Sequence, residues 1–137
     1  MPKASKVSAS RVDVVEGICE NRSEELGGYT VSFESDMADV DPAPFFRGLP
    51  DDRCQCPHWG YVIKGKISFR FAEWEEPYEA GDAYYVPPGH TPVVFNGSEV
   101  VSFSPTDELA TMMEVFERNI TASKRRTSPS VDCGKGS

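Results

Sequence analysis

The chain has 137 residues, of which 39% are apolar and 26% are charged, and its formal net charge is −8. This length and composition predict a single domain that buries its own core. The acidic excess excludes a nucleic-acid-binding surface, because such surfaces neutralise phosphates with Lys and Arg.

The first 11 residues are small, polar and basic, which predicts a disordered N-terminus. No apolar run reaches the roughly 20 residues of a membrane span, and no hydrophobic stretch of an export signal follows the first lysines. We therefore expect a cytoplasmic protein with no membrane partner. A first strand is predicted within residues 11–20, and a turn is predicted in the polar residues 21–28.

Residues 29–34 alternate apolar and polar side chains with a period of two. Tyr29, Val31 and Phe33 form the apolar set, so the pattern predicts a strand with that face buried. Residues 35–51 are rich in Asp and Pro, which disfavours both helix and sheet, and we expect a long loop held in place by its aromatic residues.

Short strand-like runs follow at regular spacing, at residues 59–63, 67–71, 83–86, 91–95 and 100–103. Gly65 predicts a corner between the first two, and Asn96-Gly97 predicts a hairpin between the last two. The glutamates between residues 73 and 79 predict a solvated turn. Together these runs predict an all-β barrel or sandwich over residues 12–104.

A C-terminal helix is predicted over residues 105–120. Ser104 is a suitable N-cap, and Pro105 is suited to the first helical position. An apolar stripe then recurs at helical spacing, at Leu109, Met112, Met113, Phe116 and Ile120. The stripe either covers the chain's own barrel, which we favour, or binds another molecule. Residues 121–137 are basic and then rich in Ser and Gly, which predicts a flexible tail.

The candidate site comprises Cys54, Cys56, His58 and His90. The first three stand at every second position, so an extended chain would place them on one face. Both histidines of the chain belong to this set. Two thiolates and two imidazoles match a tetrahedral zinc site, since sulfur ligands favour Zn²⁺ over Fe²⁺ or Mn²⁺.

Two coordination patterns are open at this stage. If all four residues bind, the metal is enclosed and structural; if Cys56 or another of them turns away, three ligands and a water leave an open Lewis-acid position. The alternative to a metal site is that the cysteines are small core residues and the histidines are hydrogen-bonded core residues. Tyr61, Tyr84 and Tyr85 are weaker pocket candidates, and alternation requires one of the adjacent pair to point outward.

The segment around these residues resembles the core of the cupin superfamily. Gly65, Gly81, Pro87 and Gly89 match the glycine and proline positions of its two motifs. The resemblance implies a double-stranded β-helix, which is a jelly-roll barrel whose lumen holds a metal ion or a small ligand.

The ligand positions of those motifs are changed in this chain. Asp52, Cys54 and His58 stand where the first motif has two histidines and a glutamate. His90 lies two residues ahead of Pro92, which is the place of the second motif's histidine. Two residues of strand span about 6.6 Å, so we expect a rearrangement at the adjacent Pro88-Gly89 turn.

Some small bacterial cupins are similar in having Cys-x-x-Pro-His-x-Gly-Tyr-Val and Pro-Pro-Gly-His stretches. This similarity implies that Cys54, His58 and His90 form the functional trio, with Cys56 as an additional thiol. The resemblance allows two functions, a metal- or small-ligand-binding module, which we favour, and a metal-dependent dioxygenase, isomerase or lyase acting in the lumen. A homodimer formed through an edge strand or through the C-terminal helix is a further expectation.

Overall fold

The structure is a computed structural model that describes residues 3–127. In this part of the chain nine strands precede one helix: β1 (Arg11–Val15), β2 (Cys19–Leu26), β3 (Tyr29–Asp36), β4 (His58–Lys64), β5 (Lys66–Arg70), β6 (Glu75–Glu79), β7 (Ala83–Val86), β8 (Thr91–Val94), β9 (Glu99–Pro105) and α1 (Thr106–Thr127).

The strands form two antiparallel sheets that face each other. The larger sheet has the order β1-β2-β3-β9-β4-β7 and the smaller has the order β6-β5-β8. Apolar residues between the sheets form one core cluster: Val62, Ile67, Phe69, Tyr84, Val86, Val94 and Val100. The predicted all-β jelly-roll barrel with a C-terminal helix is confirmed.

The first strand pair differs from the prediction. The segment predicted as one strand divides at Gly17, which has a φ of +75°, and the Ile18 amide donates to the Val15 carbonyl to close the turn at 2.8 Å. The prediction of a turn over residues 21–28 is wrong, because β2 continues to Leu26 and pairs with β3 over eight residues. Pairing with a neighbouring strand outweighs the polar composition of this stretch.

Strand β3 has its two faces oriented opposite to the prediction. Ser32 and Glu34 line the cavity between the sheets. Tyr29, Val31 and Phe33 share the outer face; Tyr29 is 42% exposed there and Phe33 is half-buried, whereas Val31 is buried, as predicted. The period of two is correct, but alternation alone does not determine which face is directed inward.

The described chain passes between the sheets four times, and two of these connections contain turns that we predicted from sequence. Gly65 is a corner, as predicted, and a Cβ added to it would lie 2.4 Å from Ser98 Oγ. The predicted Asn96-Gly97 hairpin is wrong. Strands β8 and β9 belong to different sheets, so this turn passes from one sheet to the other.

The charged stretch at residues 73–79 is also not a simple turn. Its second half is β6, an edge strand of the smaller sheet. Charged side chains on an edge strand disfavour pairing with another chain.

The predicted loop at residues 35–51 contains a 3-10 helix at Ala43–Phe46, and another follows at Pro50–Asp52. Phe46 is buried and packs against Phe116 of α1, with a ring-centroid distance of 5.2 Å. The Asn119 side-chain amide donates to the Phe45 carbonyl at 2.7 Å. The helix therefore packs its apolar stripe on its own barrel, which is the alternative that we favoured.

The helix starts one residue after the predicted start and continues to Thr127. Residues 3–10 form turns in which Lys6 pairs with Glu99. The predicted tail beyond residue 127 lies outside the described residues. Within residues 3–127, no helix has the length and apolar character needed to cross a bilayer.

Candidate metal centre

Cys54 and His90 are joined through their backbones. The Cys54 amide donates to the His90 carbonyl at 2.8 Å, and the Gly89 amide donates to the Cys54 carbonyl at 2.8 Å. Gly89 has a φ of +97°, which glycine adopts without steric cost. The Pro-Pro-Gly turn thus places His90 beside Cys54, which is the rearrangement expected from its shifted position.

Three of the four predicted ligands converge. One ligand atom each from Cys54, His58 and His90 lies within 4.8 Å of the other two, and Cys54 Sγ lies 3.6 Å from His58 Nε2. A tetrahedral ion with bonds of 2.0–2.3 Å holds its ligands about 3.6 Å apart. The spacing and the donor atoms therefore fit a divalent metal ion, although the assignment of these residues as ligands stays a prediction.

Both imidazoles are held through Nδ1. His90 Nδ1–H donates to the Pro87 carbonyl at 2.7 Å, which leaves the lone pair on Nε2 because a carbonyl can only accept. His58 Nδ1 lies 2.7 Å from Ser104 Oγ, so that its Nε2 faces the Cys54 sulfur. An outer partner of this kind orients a ligating histidine and selects its tautomer.

Burial controls the charge of these groups. Burial and the neighbouring His90 lower the pKa of His58 to about 3, and burial lowers the pKa of His90 to about 4. Both imidazoles are therefore neutral at pH 7. Burial raises the pKa of the Cys54 thiol to about 11, so the thiol keeps its proton until a cation stabilises the thiolate.

Cys56 does not join this group. Its thiol donates to the Pro57 carbonyl at 3.5 Å, and the residue is buried in the cluster that also contains Met112 of α1. The expected convergence of residues 54, 56 and 58 requires an extended chain. The chain is bent here, because four extended residues would separate Cys54 from His58 by about 13 Å.

The group lies on the wall of a cavity of about 500 Å³ between the two sheets. Phe69 packs edge-on against His90 with a centroid distance of 5.3 Å, and Phe69 also packs against Tyr84. Tyr84 faces the cavity, whereas Tyr61 and Tyr85 are each nearly half exposed on the outer surface. The adjacent tyrosines thus point in opposite directions, as the alternation requires.

A second polar region lies farther along the cavity. Asn21 and Glu34 oppose each other on β2 and β3 and line the cavity, and Asp36 shares their face. Asp36 is 3% exposed, and within the described part of the chain neither of its carboxylate oxygens has a hydrogen-bond partner. Burial and the neighbouring Glu34 raise the pKa of Asp36, so this carboxyl is protonated at pH 7.

The two polar regions are separated along β3. Thr30 lies beside Ser104 in the sheet and is level with the metal group. Glu34 is four residues farther, which is about 13 Å along the strand. The cavity therefore has a Cys/His end and an acidic end, and between them Phe69 and Tyr84 line it together with the hydroxyls of Ser32 and Ser102.

Neither the contact of Ser104 with His58 nor the acidic end of the cavity could be identified from the amino-acid sequence. Ser104 is suited to helix capping and gives no signal of a contact with His58, which lies 46 positions away. Glu34 and Asp36 do alternate with Phe33 and Ser35 along β3, so the sequence places the two acids on one face of the strand. This alternation identifies them as lumen residues only when that face is known to point inward.

No protein-family model and no curated protein matches the sequence, but solved structures match its fold. The polyketide cyclase RemF from Streptomyces resistomycificus is 12% identical, with a TM-score of 0.53, over 77% of this chain and 79% of that chain. A structural-genomics protein of unknown function from Rhizobium leguminosarum is 18% identical, with a TM-score of 0.53, over 76% of this chain and 95% of that one.

An RmlC-like cupin from Shewanella frigidimarina is 16% identical, with a TM-score of 0.49, over 69% of this chain and 83% of that chain. At such identities a likeness concerns the fold alone. The chain is similar to these structures in its fold, which consists of two antiparallel sheets that face each other. Within that fold, Cys54, His58 and His90 form a group that could hold a metal ion.

Proposed function

We propose that this cupin binds one divalent metal ion through Cys54, His58 and His90 and presents it to a small molecule in the barrel lumen. The observation that supports this proposal is the convergence of one sulfur and two imidazole nitrogens on the wall of the cavity. Three protein ligands leave one tetrahedral position for water or a bound molecule.

The donor set favours zinc. A thiolate with two neutral imidazoles suits Zn²⁺, whereas Fe²⁺ and Mn²⁺ sites use more carboxylate and imidazole. We place the protein in a reducing compartment such as the cytoplasm, because a free Cys54 thiol is a requirement of the site.

The small molecule is expected to have two different ends. One end carries an oxygen or nitrogen atom that takes the open position beside His58 and His90. The other end carries a hydrogen-bond donor, because Glu34 and Asn21 offer acceptor oxygens about 13 Å along the cavity. Between the ends, the rings of Phe69 and Tyr84 suit a hydrocarbon or aromatic portion of the molecule.

A second candidate function is catalysis on that molecule. The open position favours it, because a bound divalent ion supplies Lewis-acid chemistry only where a substrate can reach it. In this case Ser104 and the Pro87 carbonyl orient the imidazoles, and Phe69 and Phe71 limit the access of water to His90. The acidic end then positions the distal part of the substrate.

Metal analysis combined with X-ray absorption tests the proposal. We expect one ion per chain, coordinated by one sulfur, two imidazoles and one further light atom. Cys54→Ser should remove the sulfur scattering and most of the metal, and the matched control Cys56→Ser should leave both unchanged. Two sulfur neighbours in the wild-type protein, or equal losses in both variants, would contradict the three-ligand site.

A further inference from the structure

The acidic end of the cavity contains side-chain oxygens that receive no hydrogen bond. Among the buried side-chain nitrogen and oxygen atoms of the described residues, three lack a partner: Asn21 Oδ1 and both carboxylate oxygens of Asp36. An amide oxygen and an ionised carboxylate can only accept hydrogen bonds. Buried polar atoms are nearly always paired, so these three acceptors indicate that a donor or a positive charge belongs beside them.

The sheet brings these acceptors to one inward face. Asn21 of β2 pairs directly with Glu34 of β3, and Asp36 lies two residues beyond Glu34 on the same face. Directly paired residues have Cβ atoms about 5 Å apart, and diagonal neighbours are about 7–8 Å apart. The Asp36 backbone is fixed as well, because its amide donates to the Ser98 carbonyl and its carbonyl accepts from the Gly97 amide, both at 2.8 Å. The three side chains are therefore held within reach of one point.

No positively charged side chain of the described residues neutralises the two acids. None of the ion pairs in this part of the chain includes Glu34 or Asp36. Arg11 lines the same cavity, but its guanidinium pairs with Asp13 and Glu117. Two neighbouring carboxylates without a counter-charge lose hydration and repel each other. A cation from solution would remove both costs.

The group that fits beside Asp36 is small. Asp36 is 3% exposed and its carboxylate oxygens are closed off from solvent, so water in the lumen does not reach them. A dehydrated metal ion needs less room than a hydrogen-bond donor, because Ca²⁺–O bonds are about 2.3–2.6 Å long and N–H···O contacts are about 2.9 Å long. Carboxylate and amide oxygens are also the ligands that hard cations prefer.

We propose that the acidic end binds a hard divalent cation, with Asp36, Glu34 and Asn21 as its oxygen ligands. Two carboxylates balance the charge of one such ion, and an Asn carbonyl oxygen is a usual additional ligand. Ca²⁺ suits the site better than Mg²⁺, because Ca²⁺ accepts irregular shells whereas Mg²⁺ requires a nearly ideal octahedron. In the absence of the ion Asp36 holds a proton, since burial and the neighbouring Glu34 raise its pKa, and the ion takes the place of that proton.

This cation site is separate from the Cys/His end. The two ends are about 13 Å apart along β3, share no ligand, and differ in donor atoms, so they select different ions. The cation site therefore does not depend on the proposed function. Glu34 has two carboxylate oxygens, so binding the ion through one of them leaves the other for the distal part of a bound molecule.

Isothermal titration calorimetry of the full chain with Ca²⁺ tests the proposal, in a buffer whose other cation is tetramethylammonium. We expect one Ca²⁺ per chain with a Kd of about 1 mM or lower, and binding weakened about tenfold or more in Asp36→Asn and in Glu34→Gln. The matched control is Asp107→Asn, which removes the same charge from an exposed position in the first turn of α1. It should bind Ca²⁺ with the affinity of the wild-type protein.

Thermal unfolding shows whether the ion stabilises the fold, because a ligand that binds only the folded chain raises the midpoint. Ca²⁺ should raise the midpoint of the wild-type protein and of a His58→Asn/His90→Asn variant, and should leave that of Asp36→Asn unchanged. The Asp36→Asn variant removes a buried charge and is expected to fold, so it keeps the test decisive if Glu34→Gln does not fold.

Three results would overturn the proposal. They are a wild-type protein that binds no Ca²⁺ at about 10 mM, which is weaker than the weakest usual class of Ca²⁺ site, a folded Asp36→Asn variant with unchanged Ca²⁺ affinity, and loss of Ca²⁺ binding in His58→Asn/His90→Asn. Failure of Zn²⁺ to bind, with Ca²⁺ binding retained, would contradict the proposed function alone.

Discussion

The pH dependence of metal affinity is the most direct test of the proposed metal site at Cys54, His58 and His90. In the metal-free protein at pH 7 the Cys54 thiol is protonated, because burial raises its pKa to about 11. Both imidazoles are already neutral, because their pKa values lie at about 3 and 4. Binding of a divalent ion should therefore release one proton, and that proton comes from sulfur.

The magnitude follows from this proton count. Between pH 6 and pH 8 the dissociation constant for Zn²⁺ should fall about tenfold per pH unit, which is about 100-fold in total. The shift of the thiol pKa from 9.0 to about 11 adds about 3 kcal/mol to the cost of forming the thiolate relative to an ordinary thiol. At pH 7, four units below this pKa, the whole cost is about 5 kcal/mol, and metal binding must exceed it.

Isothermal titration calorimetry with Zn²⁺ in buffers of different ionisation enthalpy gives both the affinity and the number of protons released. We expect about one proton per ion in the wild-type protein and in Cys56→Ser, and none in Cys54→Ser. Two protons per ion would show that Cys56 also binds as a thiolate. An affinity that does not change with pH would refute thiolate ligation altogether.

Three further predictions concern the stability of the metal-free protein in urea. His58 and His90 stay neutral in the folded protein, so the free energy of unfolding falls as the pH drops below 6.5. Relative to a His58→Asn/His90→Asn variant we expect a loss of about 3 kcal/mol between pH 6.5 and 5, and a constant difference would contradict this. Asp36→Asn should stabilise the protein by at least about 1 kcal/mol at pH 8 and by less at pH 5. The pKa of Asp36 is raised in the folded protein, so the wild-type protein loses stability as the pH rises above the pKa of this carboxyl in the unfolded chain. A destabilised variant would show that the carboxyl has a partner. Gly60→Ala should lower the free energy of unfolding by about 1–3 kcal/mol, because the new Cβ would lie 2.4 Å from the Tyr84 ring. Adding Tyr84→Leu to this variant should restore part of the lost stability. A Gly60→Ala variant as stable as the wild-type protein would contradict the close contact.

Much of the fold could be predicted from local pattern. The period-two runs at β4, β5 and β7 correspond to observed strands, and Gly65 turns the chain where its position indicates. The stripe from Leu109 to Ile120 defines a helix and the face that it buries. These features depend on side chains within a few residues of one another, and such relations are present in the sequence.

The faces of the larger sheet could not be predicted in the same way. Alternation in β3 shows that Tyr29 and Phe33 differ from Ser32 and Glu34, but not which set faces the lumen. That choice depends on what lines the cavity and on what covers the outer surface. The Asn96-Gly97 turn shows the same limit, because local chemistry favours a turn but does not assign the two strands to one sheet.

The donor residues of the candidate site could be predicted from the amino-acid sequence. Cys54, Cys56, His58 and His90 could be selected because sulfur and imidazole donors suit a metal ion, and the resemblance to small bacterial cupins favours all of them except Cys56. The three-dimensional contacts were needed to show that Cys56 is turned away, that Ser104 holds His58, and that Glu34 shares the same cavity. These relations connect residues far apart in sequence, and they arise because the bend after Cys54 and the closure of two sheets bring those residues together.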